Sequence, residues 1–288
     1  MPGPTTVKYG GNTTCFEIRA GKHLIIVDAG TGIINLGYEM MADYHRTRTP
    51  IRTNLLFTHL HHDHTQGLPF FVPLRYPGAN LYIFGAKPSD DSSLEHELIQ
   101  AIQPPFFPLG LEEIYSNMHT HHIRGNDQIV IDNPLAEPII LEPHQSLPEL
   151  SEESLRIQVH HGYHHPRAGI LIFRIHYQGR SMVIATDTEG FIGGDRRLIA
   201  FCRGADLLVH DAEYDEEEYA DQAVVRQGWG HSTWRMAIDV AQAAGVKKLA
   251  LHHHNPNHDD AYMDAMELKA QAAFPETIVA REGLTISI

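Results

Sequence analysis

The sequence predicts an α/β fold. Apolar strand-like runs alternate with helix-like stretches, histidine and aspartate recur directly after several of those runs, and no solenoid-period repeat or convincing linker interrupts them. At 288 residues the chain suits one large domain or two small ones. We read 1–288 as a single domain, with 89–148 as an irregular insertion or lid within it.

Taken in order, Phe16–Arg19 and Leu24–Asp28 read as a first pair of strands. Asn54–Thr58 is a buried strand that runs straight into His59, and Asn80–Phe84 is another. Leu94–Gln103 is a moderately amphipathic helix ending before Pro104-Pro105. The stretch that follows is rich in proline and least regular. Arg156–His160, Gly169–His176 and Ser181–Thr186 read as three consecutive strands, the last two joined by Gln178-Gly179. Asp195–Arg203 reads as a helix, and Asp206–Val209 as a short apolar strand. Tyr214–Arg226 reads as a helix whose acidic first turn complements the helix dipole. Thr233–Ala244 follows, with Ser232 as N-cap and Gly245 as stop. Lys248–Leu251 is a strand, Asp260–Phe274 a helix stopped by Pro275, and Thr277–Ala280 and Leu284–Ile288 are closing strands.

Composition excludes several classes. Hydrophobic residues at 42% with charged residues at 20% describe a globular chain, not a disordered one. Apolar runs such as Leu24–Val27 are far too short to span a bilayer, so no membrane partner is expected. No basic-then-apolar leader opens the chain, and the two cysteines make no disulfide framework; both point to the cytoplasm. A net charge of −14 disfavours a protein that embraces long nucleic acids.

Histidine is the compositional outlier, with 22 residues in clusters. Clusters alone fit a metal-buffering surface as well as a site, so their position decides. Leu55–Thr58 ends in His59, Met182–Thr186 in Asp187, Leu207–Val209 in His210-Asp211 and Leu249–Leu251 in His252-His253. The carboxyl ends of strands are where α/β folds build their sites. The densest signal is His59-Leu60-His61-His62-Asp63-His64. Histidines two apart can grip one ion, while Asp63 and His64 turn toward a second.

This His-x-His-x-Asp-His run resembles the signature of the metallo-β-lactamase superfamily, and the rest of the chain follows that family's motif order. Asp28 in Ile-Val-Asp-Ala-Gly resembles its early structural aspartate, His165 in His-His-Pro its third histidine, Asp187 its bridging aspartate and His253 its last ligand. His164 stands where close relatives carry asparagine. The resemblance implies a four-layer αββα sandwich with two divalent ions, zinc first and manganese or iron as alternatives. His59, His61 and His165 would hold one ion, Asp63, His64 and His253 the other, and Asp187 both, with His252 or His254 as substitutes if the register slips. A hydroxide shared by the two ions would be the nucleophile. Relatives open with an additional strand before the equivalent of Pro2-Gly3-Pro4. Either that strand is absent here or the sequence starts late.

Two further motifs narrow the branch. His210-Asp211-Ala212-Glu213 resembles the His-Glu-Ala-Thr motif, and Gly230-His231-Ser232-Thr233 the Gly-His-Ser-Thr motif, of the tRNase Z and phosphodiesterase branch. The resemblance assigns His231 to phosphate contact and leaving-group protonation, with His210 and Asp63 beside it in catalysis. Trp229 and Trp234 flank His231 and line either pocket or core; Phe106, Phe107 and Tyr115 stack a base, cover the site or simply pack. The leading expectation is a homodimeric hydrolase of small phosphodiesters such as 3′,5′-cyclic nucleotides. The alternatives are a tRNA 3′-end endonuclease, set lower because no basic arm is evident, and a non-catalytic metal-binding regulatory module.

Overall fold

The computed structural model describes residues 2–87, 92–100, 102–105, 107, 108, 114, 116–162, 169–191 and 193–288. The chain divides into two compact units, Asn12–Leu155 and Met1–Gly11 with Arg156–Ile288.

In the first unit, strands β1 (Phe16–Ala20) and β2 (His23–Val27) pair antiparallel, turned by Gly21 at φ 58°. Helix α1 (Gly32–Thr47) carries the chain to β3 (Arg52–Leu56), parallel to β2. The short α2 (His62–Thr65) and two 3-10 turns lead to β4 (Asn80–Gly85). Helix α3 (Leu94–Gln100) precedes β5 (Asn117–His122), and the five strands lie in the order β1-β2-β3-β4-β5. Strands β6 (Gln128–Ile131) and β7 (Ile139–Leu141) form an antiparallel pair. The core packs Ile26, Ile33, Leu36, Met40, Leu55 and Phe71 together.

Two features differ from the sequence reading. Helix α1 was not anticipated, although Ile33, Leu36, Gly37 and Met40 make a buried stripe at helical spacing. Gly37 weakens the helical signal because it serves packing: a Cβ there would stand 2.9 Å from the Phe71 ring. Helix α3 lies within the expected Leu94–Gln103, and the described residues of 89–148 also hold β5, β6 and β7, which were not anticipated. The prolines of that stretch mark turns between short strands. Phe107 packs, with ring centroids 5.3 Å from Phe70, whereas Phe106 and Tyr115 lie outside the described residues.

In the second unit β8 (Leu155–Gly162), β9 (Ile170–Tyr177) and β10 (Arg180–Ala185) form an antiparallel meander. Helix α4 (Arg196–Cys202) leads to β11 (Leu207–Asp211), parallel to β10. The short α5 (Glu216–Tyr219) and α6 (Trp234–Ala244) lead to β12 (Lys248–His252), and α7 (Asp260–Ala273) to β13 (Thr277–Val279). These strands run β13-β12-β11-β10-β9-β8. Val183, Ala185, Leu208, Leu249 and Leu251 pack with Leu198, Ile238, Ala241 and Met266 of the helices.

Three local expectations are corrected. The helix expected over Tyr214–Arg226 is only Glu216–Tyr219, closed at its start by a capping box between Asp215 and Glu218. It stops because Asp221 Oδ1 accepts from the N–H groups of Ala223 and Val224, a turn that competes with helix. The N-cap of α6 is Thr233, whose hydroxyl accepts from Met236 N, because Ser232 is engaged elsewhere. Leu284–Ile288 forms no strand.

Asp206, next to β11, fixes the start of this sheet and supplies a pH dependence. Burial works against its ionisation, but Lys247 Nζ at 2.7 Å, Ser181 N at 2.8 Å and Arg180 at 3.2 Å bring its pKa down to about 2. The stabilisation is complete above the ordinary aspartate range, about pH 4, and is lost as pH falls toward the folded-state value. Asp206→Asn is expected to be about 1–2 kcal/mol less stable at pH 7. It should also lose less stability on acidification, which urea titrations at pH 7 and pH 3 measure. No described helix is long and apolar enough to cross a membrane.

Candidate metal centre

In the first unit the ligand-type residues lie where β2 and β3 end. Asp28 follows β2 in the left-handed region at φ 62° and is fully buried. Its carboxylate accepts from Thr58 N, Thr58 Oγ1 and His64 Nδ1, each at 2.8 Å. Burial pushes the Asp28 carboxyl above the usual carboxylate range, and His64 and Thr58 pull against that. These bonds also settle the ring nitrogens. Thr58 gives its one hydroxyl proton to Asp28, so at 3.1 Å its oxygen accepts from His59 Nδ1. His59 and His64 thus both carry the proton on Nδ1 and present Nε2 as the metal-type donor.

The run itself is tightly gathered. The His59 ring centroid lies 4.4 Å from that of His61 and 4.2 Å from that of His64, and His64 Nε2 faces Asp63 Oδ2 at 3.2 Å. Glycines hold it against the Asp28 loop. Ala29 N donates to His64 O at 2.7 Å, and a Cβ on Gly30 would meet Asp63 O at 2.3 Å. His62 points to solvent.

In the second unit Asp187 (φ 49°) follows β10 and His253 (φ 60°) follows β12. Left-handed backbone is uncommon for such residues, and its recurrence at Asp28, Asp187 and His253 is the kind of strain that functional sites hold. Asp187 Oδ2 accepts from Thr186 Oγ1 at 2.7 Å, and Oδ1 faces His253 Nε2 at 3.2 Å. His253 is the member of its triplet so placed. His254 Nε2 bonds to Ala280 O at 2.9 Å, burial lowering that ring to about 4, and His252 Nδ1 lies 3.4 Å from Thr186 Oγ1.

His231 sits beside this pair, its ring stacked on that of His253 with centroids 4.7 Å apart. Its Nδ1 bonds to Asp211 Oδ2 at 2.8 Å, while Asp211 Oδ1 accepts from Ser232 N at 2.8 Å. Burial opposes charge on His231, but the adjacent Asp211 outweighs it and raises the imidazole above its ordinary value. Ser232 Oγ donates to Thr188 O, and Glu189 accepts from Gly228 N at 2.7 Å and Gly230 N at 3.0 Å. That clamp leaves Trp229 half exposed at 51%, whereas Trp234 is buried in the core.

The structure therefore brings His59, His61, Asp63 and His64 together in one unit, and Asp187, His253 and His231 together in the other. His165 lies outside the described residues. His210 is fully buried, with Nδ1 bonded to Asp211 O at 2.8 Å. Strand alternation explains the difference from its neighbour: Leu208 enters the helix-packed core, so His210 shares that face and Asp211 takes the opposite one. Asp211 and Glu213 were quoted from sequence only within the His210-Asp211-Ala212-Glu213 motif and given no role, and Glu189 was given none. The one available signal was the pair of acidic residues in His210-Asp211-Ala212-Glu213, since a histidine held for proton transfer needs a carboxylate.

The donor set fits hard-to-borderline divalent ions, because imidazole Nε2 atoms with defined tautomers face carboxylate oxygens. Residues 23–254 match the family model described as the β-lactamase superfamily domain. A ribonuclease Z from Gemmatimonas aurantiaca is 36% identical over 111 residues, 38% of this chain and 32% of that protein. The match thus spans about a third of that curated relative. The metallo-β-lactamase fold protein YhfI from Bacillus subtilis superposes with a TM-score of 0.60 at 18% identity, covering 96% of this chain and 95% of that one. Human tRNase Z, short form, superposes with a TM-score of 0.55 at 20% identity, covering 98% and 96%. The fold expected from the motif order is thereby borne out, and the chain belongs to the metallo-β-lactamase superfamily.

Proposed function

We propose that the protein is a metal-dependent hydrolase of phosphodiester bonds, with two zinc ions held by His59, His61, Asp63, His64, His165, Asp187 and His253. The observation that carries this reading is His231, fixed on Asp211 at 2.8 Å and stacked on His253. A phosphodiester needs a proton donor for its departing alcohol, and a carboxylate-held imidazole supplies one near neutral pH. When bound, the ions supply a nucleophile at neutral pH and draw charge from the phosphoryl oxygens. The chain's own residues do the rest. Asp28 and Thr58 fix the tautomers of His59 and His64, Asp211 holds Nδ1 of His231 and so leaves Nε2 as the other ring nitrogen for proton transfer, and Glu189 sets the loop before it.

The ribonuclease Z similarity favours an RNA substrate, the reading set second from sequence, over small cyclic nucleotides. The −14 charge is what supports a small diester instead. Bis(p-nitrophenyl) phosphate should be hydrolysed by zinc- or manganese-loaded protein, and Asp63→Ala should lose at least about 100-fold in rate. Unchanged turnover in Asp63→Ala would sink the proposal. Cleavage of a precursor tRNA 3′ trailer, set beside hydrolysis of 3′,5′-cyclic AMP, separates the two substrate classes.

A further inference from the structure

The histidine pair of the second unit shares a carboxylate that neither the motif resemblance nor the proposed mechanism uses. Glu213 Oε2 lies 3.2 Å from His231 Nδ1 and 3.4 Å from His253 Nδ1, with its side chain 14% exposed. Asp211, the acidic residue two positions earlier, bonds to His231 Nδ1, and its Oδ1 also accepts from Glu213 N at 3.2 Å. The His-Glu-Ala-Thr motif has a hydroxyl at the position of Glu213, too short to span two rings. This chain places a carboxylate there, against Nδ1 of both stacked imidazoles.

We infer that Glu213 is a positioning residue that fixes the tautomer and ring orientation of His253, so that Nε2 is delivered on the Asp187 side, and that ties this ring to His231. The inference rests on the reading of His253 as a metal ligand. A ligating histidine whose other ring nitrogen is held by a carboxylate is the common arrangement around bound metals, and losing that carboxylate weakens binding by about 10–100-fold. Asp187 faces the opposite nitrogen of His253 at 3.2 Å, so Glu213 and Asp187 stand on the two nitrogens of one ring. The Glu213 carboxylate stands beside His231 Nδ1, as that of Asp211 does, so the ring read as a metal ligand and the ring read as a proton donor face one group.

The experiment is a zinc titration of the full-length apo protein by competition with a chromogenic chelator, alongside thermal unfolding of the same apo samples. Glu213→Ala is expected to weaken one bound zinc by about 10–100-fold. Glu213→Gln, whose amide oxygen still accepts from Nδ1, should recover most of that loss. Apo unfolding temperatures should differ little among the three. Glu213→Thr, which restores the motif's hydroxyl, should behave like Glu213→Ala and serves if that variant does not fold. Equal zinc affinity in wild type, Glu213→Ala and Glu213→Thr would overturn the inference while leaving the metal reading intact. Zinc binding absent from wild type itself would remove both.

Discussion

Asp28→Ala is expected to be the most destabilising single change near the proposed metal ligands, costing about 3–5 kcal/mol in urea unfolding of the metal-free protein. Three donors converge on that buried carboxylate, and each would lose its acceptor in an interior that admits no replacement. The damage extends to chemistry. Without Asp28, Thr58 no longer commits its proton, His59 and His64 lose their defined tautomers, and metal affinity should fall alongside stability. Asp28→Asn separates the two effects. Its volume is kept, but an amide cannot match a carboxylate as acceptor for both Thr58 and His64. It should therefore retain most of the fold and lose most of the metal. Asp28→Ala with wild-type stability would show that the loop after β2 is held by other contacts.

For His231→Ala the expected result depends on the leaving group. With a diester that expels a simple alcohol, kcat should fall by about 10²–10⁴-fold, the usual worth of a positioned acid. With bis(p-nitrophenyl) phosphate the fall should stay below about 10-fold, because p-nitrophenolate departs without a proton. Asp211→Asn should show the same asymmetry more weakly, since it removes the charge that raises the imidazole pKa while sparing its position. Equal losses on both substrates would assign His231 to substrate binding instead.

The run His59–His64 was legible because its chemistry is compressed into six consecutive positions after a buried strand. Asp187 and His253 were legible because each stands at the end of a short apolar strand-like run. What escaped were groups whose meaning depends on distant partners. Glu189 meets Gly230 across 41 positions, and Asp211 meets His231 across 20. Local reading named His210 as catalytic; the strand turns it to the opposite face from Asp211, fully buried and bonded to Asp211 O, while Asp211 is the residue bonded to His231. Helix limits failed where side chains captured backbone groups, as the Asp221 carboxylate does after α5, as Asp211 does at Ser232 N, and as the Ser232 hydroxyl does in donating to the Thr188 carbonyl. Helix α1 escaped because Gly37 suits the packing against Phe71 rather than helix propensity.

The clamp on Gly228 and Gly230 has an optical consequence. The chain has two tryptophans, and they stand on either side of His231 in opposite surroundings. Emission from Trp229, 51% exposed, is expected to be solvent-relaxed and open to quenching by iodide, and that from the buried Trp234 blue-shifted and shielded. A ligand that settles beside His231 changes the iodide-accessible fraction and leaves the shielded one in place. Unfolding of the helix-packed core merges the two. The protein thus carries a two-channel fluorophore that separates events at the site from events in the core, without any label.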